Sequence, residues 1–318
     1  MEPLPKGANF VRGKTLWEIG LHIAGNPATP YGGNRDMVIT VGSGSGERFR
    51  PWLRLATGSA ILAEGVVAGD VEAAFVNPSA LLTQAYRGVG LFRAPLPVRI
   101  IASYPSWDRF VFAVHPRAGI RSLRDIKDTK YPLRVSVRED PTHSTLVLIE
   151  QAFALHGFAL KDIEAWGGRI VTCGGPSDIR RLDPLARGEI DAVFDEGIKV
   201  WLDEALAAGL QPVALEPAEF EAMGRLGWRR VVLPKARFPR LAHDVDTIDF
   251  SGWPLYASAS LPDQVAYDVC AALAAREAEI PFEKGTDGTA MQMVTETDST
   301  PMDVPLHPGA ERWRREHG

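Results

Sequence analysis

The chain has 318 residues with 45% apolar and 24% charged side chains, the proportions of a globular protein and enough length for two domains with real cores. A net charge of −5 excludes an extended nucleic-acid surface, which needs a basic face. The one dense basic run, Arg312-Trp313-Arg314-Arg315, reads as a solvated helix end. Two cysteines, Cys173 and Cys270, give no disulfide framework and read as buried thiols, though they could pair. No metal-ligand spacing or cofactor motif is present, so no cofactor is expected.

The apolar stretches are of strand length, too short to span a bilayer. MEPLPKGANFVRGKTLWEIG lacks the apolar core of a signal peptide. That implies a cytoplasmic chain if the sequence is complete, and leaves export open if a leader precedes it.

Along the chain, strand-like and helix-like segments alternate, which predicts an α/β fold with a largely parallel sheet. Met37–Val41 reads as a strand ending in GSGSGE (Gly42–Glu47). Thr57-Gly58-Ser59 then opens a helix with Ile61, Leu62, Val66 and Val67 on its apolar side. Ala73–Val76 is a short strand ending at Asn77-Pro78-Ser79, followed by helix Ala80–Tyr86. Val98–Ser103 and Phe110–Val114 are strands around the turn YPSWDR.

A second block begins near His115, with Ser122 capping a short helix and Leu133–Val137 as its opening strand. Strands at Arg169–Thr172 and Ile190–Phe194 alternate with helices at Ile179–Ala186 and Ile198–Ala208, and Trp228–Leu233 with the Pro-rich PKARFPRL closes the block. TIDFSGWPLYASASLP places β residues at Ile248, Phe250, Leu255 and Tyr256, before a helix over Asp263–Ala278. Lys284–Ser299, poor in apolar residues, reads as a loop.

Both blocks end strands in small polar residues that also start helices. In open α/β sheets ligands bind at that edge, where free N–H groups and the helix dipole favour anions. Two such blocks predict a cleft with half a site on each lobe. Ser43 and Ser45 in the glycine loop either cradle a small carboxylate or form a plain turn, since neither a phosphate loop nor a dinucleotide fingerprint is complete. Thr57, Gly58 and Ser59 either cap a helix or hold an anion, and Asn77 either forms a local turn or faces the cleft.

In Asp140-Pro141-Thr142-His143-Ser144-Thr145, Thr142 or Ser144 suits an N-cap that doubles as a ligand cradle. His143 beside Ser144 is a poor nucleophile–base pair, because adjacent residues at a helix start point apart and no nucleophile elbow is present. Asp195 and Glu196 end an apolar strand and either cap a helix or receive an amine or hydroxyl. Tyr104, Trp107, Trp253 and Tyr256 lie near the proposed crossings and divide between core and ligand wall.

Several segments resemble the TAXI family of solute-binding proteins, the receptors of TRAP-type transporters. The tail DVPLHPGAERWRREHG (303–318) is similar to that family's closing pattern, and ITVGSGSG (39–46) to its first strand and loop. So are TGSAILAEGVVAGDVEAAFVNPSALLTQAYRGVGLF (57–92), IIASYPSWDRFVFAVHPRAGIRSLRDIKD (100–128) and ARGEIDAVFDEG (186–197). The resemblance implies a two-lobed fold of the type 2 periplasmic-binding-protein kind, with residues 1–108 and 248–318 as one lobe and 109–247 as the other.

It also implies a non-enzymatic receptor closing on a small organic anion, a carboxylate or amino-acid-like ligand, with TRAP membrane subunits as partners and a periplasmic location. Two departures stand out. The first strand–helix unit is shortened, or Thr15–Gly25 supplies its helix from upstream. Asp195-Glu196 replaces small or apolar residues, which favours a ligand with a cationic, amide or hydroxyl group. A cytoplasmic enzyme on the same scaffold, with His143, Asp195 and Glu196 as acid/base groups, or a ligand sensor with a protein partner, is the alternative.

Overall fold

A computed structural model describes residues 8–25, 37–42, 52–58, 60–283 and 288–318. In chain order, α1 (Ala8–Gly25), β1 (Val38–Gly42), β2 (Trp52–Thr57), α2 (Leu62–Ala68), β3 (Ala73–Phe75), α3 (Ser79–Arg87) and β4 (Val98–Tyr104) come first. The second block holds β5 (Arg109–Val114), α4 (Leu123–Thr129), β6 (Arg134–Arg138), α5 (Ser144–Ala154), α6 (Asp162–Ala165), β7 (Arg169–Cys173) and α7 (Ile179–Ala186). It continues through β8 (Ala192–Asp195), α8 (Leu202–Ala207), β9 (Gln211–Pro212), α9 (Pro217–Arg225), β10 (Arg230–Leu233) and β11 (Val245–Asp249). The chain then returns through β12 (Trp253–Ser258), α10 (Asp263–Ala275) and α11 (Pro308–His317).

Two sheets result, in the orders β1-β2-β3-β12-β4 and β10-β11-β5-β8-β6-β7, with β9 on β5. This is the two-lobed α/β architecture that the sequence implied. The sheets are mixed rather than largely parallel: β12 runs against both β3 and β4, and β5 runs against β8, β9 and β11. Strands that carry the chain between sheets must enter from the opposite edge, and alternation of element types does not reveal that.

The first strands depart further. β1 pairs antiparallel with β2, where the sequence pattern predicted a parallel strand–helix unit. α1 stands upstream with Leu16 70% exposed and Trp17 41% exposed. Among the described residues no helix is long and apolar enough to cross a membrane.

The largest core cluster is continuous across the two sheets. It joins Ala74, Ile100 and Tyr256 of the first to Phe112 and Phe194 of the second, with Leu81 and Phe153 from the helices between. Phe112 meets Phe194 edge-on at 5.1 Å, and Phe153 stacks on Phe158 at 4.3 Å. A second cluster under α7 and α8 centres on Trp201, and a third, against α10 and α11, includes Ile101, Met293 and Trp313. Part of the segment read as a loop is thus core: Ala290, Met293 and Val294 are buried, the last two in a short 3-10 turn. Three well-placed apolar side chains suffice for that where the average composition is polar.

The chain crosses between sheets at residues 105–108 and 250–252, and the two crossings bond to each other. Gly252 N–H donates to Ser106 O (2.9 Å), Phe250 N–H to Asp108 O (3.2 Å), and Asp108 N–H to Ser251 Oγ (2.9 Å). Gly252 has φ +76°, and a Cβ there would stand 2.8 Å from Pro301 Cδ, so only glycine makes this turn without strain. Arg109 adds ion pairs to buried Asp249 and exposed Asp298, both at 2.9 Å.

Candidate functional site

β2 and β3 run parallel with Thr57 beside Phe75, so Thr57-Gly58 and Asn77 end side by side. β6, β7 and β8 run parallel in the second sheet, which brings Arg138, Cys173 and Asp195 to one edge. The two edges meet: Ser144 Oγ, at the start of α5, donates to the backbone carbonyl of Asn77. Strand-end residues from both blocks therefore share one place. Ser43, Ser45 and Ser59 lie outside the described residues.

The polar knot before α5 is ordered by its own hydrogen bonds. Thr142 donates from N and Oγ1 to Asp140 Oδ1 (2.9 and 2.8 Å). The N-cap is His143, neither Thr142 nor Ser144: its Nδ1 accepts from Thr145 N–H (3.3 Å) and lies 3.0 Å from Thr145 Oγ1. Thr145 is fully buried. An imidazole nitrogen can replace the usual cap oxygen, and no composition rule flags it. Thr57 is likewise no cap. Its Oγ1 accepts from Met37 N–H (2.8 Å), and α2 begins only at Leu62.

Asp195 is wholly buried, and the protein's own donors fill its carboxylate. Its carboxylate takes Arg138 Nε at 2.9 and 2.8 Å, Arg181 Nη1 at 2.5 Å and the Glu196 N–H at 2.9 Å. Arg138 also pairs with Glu196, and Arg181 Nε donates to Ser136 Oγ (3.0 Å). Sequence reading missed both arginines, yet a signal was there. Period-2 spacing in Arg134-Val-Ser-Val-Arg138 sets Ser136 and Arg138 on one face, aimed at whatever ends β8.

Glu196 is the outermost member, 12% exposed at its side chain. Burial, then the nearby Asp108 and Asp195 carboxylates, push its carboxyl well above the usual range, and it hydrogen-bonds Asp108. Asp108 itself accepts from Gly197 N–H (2.8 Å) and Arg109 N–H (2.8 Å) in the crossing. Burial raises the Asp108 carboxyl too, so a proton held between the two coupled carboxyls lowers the negative charge beside the Arg138 and Arg181 guanidiniums.

The unfolded glutamate ionises near 4.5 while the folded one keeps its proton. This group's contribution is therefore whole below that pH and declines as pH rises through the folded pKa, by up to about 1.4 kcal/mol per pH unit. Glu196→Gln, which copies the protonated shape, is expected to remove this decline. Urea unfolding at pH 5 and pH 8 of both proteins checks it, and an unchanged pH slope in the variant would contradict it.

The aromatics are mainly structural. Tyr104 stacks between Trp253 (4.9 Å) and Phe282 (5.5 Å) and donates to Pro281 O (2.5 Å). Trp107 lies between the guanidiniums of Arg109 (4.4 Å) and Arg237 (3.7 Å). Tyr256 is fully buried in the continuous core.

No family model matches the chain. Among solved structures it is similar to the L-cystine solute receptor of Neisseria gonorrhoeae in its unliganded open conformation, at 17% identity and a TM-score of 0.27. That match covers 68% of this chain and 66% of the receptor, just under two thirds of the receptor's length. It is also similar to a periplasmic transporter, at 17% identity over 81% of this chain and 79% of that one, with a TM-score of 0.34. A TctC solute-binding protein from Polaromonas matches at 14% identity over 81% and 80% of the two chains, with a TM-score of 0.33.

Proposed function

We propose that the chain is a non-enzymatic receptor that closes on a small organic ligand between its two lobes. One observation carries this reading: the helix-start knot of the second lobe docks on the strand end of the first, Ser144 Oγ on Asn77 O. A cleft built from two such edges offers N–H groups and hydroxyls from both sides. The paired crossings at 105–108 and 250–252 suit a hinge, since few residues there absorb a change of lobe angle. The lobes divide at these crossings.

The motifs that resemble the TAXI family support a carboxylate or amino-acid-like ligand, delivery to TRAP membrane subunits and a periplasmic location. Acid/base chemistry finds little support. His143 is engaged as a cap, and Asp195 is filled by two guanidiniums. The test is a thermal-shift screen with organic acids, amino acids and their aromatic derivatives. The reading expects one chemical class to raise the melting temperature in proportion to the logarithm of its concentration. A flat response across all classes would count against it.

A further inference from the structure

One face of α3 is turned to the second block. Ala80, Thr83, Gln84 and Arg87 recur at spacings of three and four and so form a single stripe of the helix. Leu81, Leu82 and Ala85 take the opposite side and join the continuous core. Gln84 and Gln151 of α5 make a reciprocal amide pair: Gln84 Nε2 donates to Gln151 Oε1 (3.1 Å), and Gln151 Nε2 to Gln84 Oε1 (3.2 Å). Trp228 Nε1 donates to the same Gln151 oxygen (2.7 Å), and Leu91 N–H to Gln84 Oε1 (3.3 Å). Further along the stripe Arg87 Nη1 donates to Gly224 O (3.3 Å). Gly227 has φ +98°, and a Cβ there would stand 3.1 Å from Thr83 Cγ2, so its bare backbone allows the close approach.

Thr83 is 1% exposed and Gln84 0%, yet both are polar. Buried polar side chains are the informative case, because a face that stays covered gains more from apolar ones. A face that alternates between a partner and water is served by amides and guanidiniums, which water satisfies once the partner leaves. The amide pair and the Arg87 bond both join the first block to the second, so they break together if the lobes part.

We propose that the α3 stripe and the residues it meets form a latch, a separable polar seam that holds the lobes closed and sets how often the cleft opens. This rests on the receptor reading, since a latch acts only between lobes that part, and it places control of affinity outside the cleft. α3 and α5 both start beside the Asn77–Ser144 contact, and the amide pair ties them about two turns further along. A looser latch lowers the closed population, and with it the apparent affinity for whatever the cleft holds.

Pulsed electron–electron resonance on the ligand-free chain tests this, with spin labels at Asp70→Cys and Lys161→Cys, exposed positions on the two lobes. The native Cys173 and Cys270 are buried. Wild type is expected to show one dominant distance. Gln151→Leu leaves the Gln84 amide and the Trp228 indole without a partner in the closed form, whereas water serves both in the open form. A second distance should therefore gain roughly tenfold or more in weight, and Gln84→Leu should shift the balance the same way. The double variant sets two apolar side chains face to face and should open less than Gln151→Leu alone. A single unchanged distance in both single variants, a wild type divided evenly between two distances, or a double variant more open than either single one would overturn the latch. A lowered melting temperature with unchanged distances would assign the amides to the fold and overturn it too. Each of these results leaves the receptor reading to its own thermal-shift screen. Variants that open as expected, while no organic acid or amino acid shifts the wild-type melting temperature, would support the latch and count against the receptor reading alone.

Discussion

Replacing Asp195 with alanine is expected to destabilise the protein by about 3 to 5 kcal/mol, the range for breaking a buried ion pair by removing one partner. Asp195 is the single carboxylate on which both Arg138 and Arg181 converge, and all three are buried at 2% exposure or less. Removing it leaves two guanidiniums in a low-dielectric interior, with Glu196, which favours its neutral form, as their nearest compensation. Asparagine keeps the shape and should cost less, since one side-chain oxygen still accepts. Urea unfolding at pH 7 measures both, and a loss below about 1 kcal/mol for the alanine variant would show the cluster relaxing far more than this packing allows.

Phe153→Ala should cost about 3 to 5 kcal/mol as well, through lost burial and the cavity left behind. Phe153 is fully buried on α5 and touches three other rings: Phe158 at 4.3 Å, Phe194 at 5.9 Å and Phe112 at 6.2 Å. The same ring anchors the helix that starts at Ser144, so its loss should also loosen the contact with Asn77. Phe153→Leu fills most of the space and should lose less. Equal losses for the two variants in urea unfolding would mean that the ring contacts contribute nothing beyond bulk.

What the sequence revealed depended on how local the cause was. Asn77-Pro78-Ser79 and Thr142–Thr145 were legible as helix-start knots because a strand's apolar run stops there and polar caps follow, a pattern contained within ten residues. That the two knots meet is a consequence of the chain crossing twice between sheets, which no local pattern records. The role of Asp195 was hidden for the same reason. Its partners lie 57 residues before it at Arg138 and 14 before it at Arg181, and only the parallel pairing of β6 and β8 brings them together. The antiparallel pair of β1 and β2 was missed because Trp52–Thr57 was not read as a strand at all, its Thr57 being taken as the start of a helix. His143 was legible as a polar helix-start residue and not as the cap itself, since its ring nitrogen does what an oxygen usually does.

The central claim, a ligand held between two closing lobes, is tested most directly by native ion-mobility mass spectrometry of the purified protein. The account predicts a small molecule bound one to one, either carried through purification or acquired from the carboxylate and amino-acid panel. Its release should come with a larger collision cross-section as the lobes part. A bare-chain mass before and after incubation with the whole panel, with a cross-section that never changes, would contradict it.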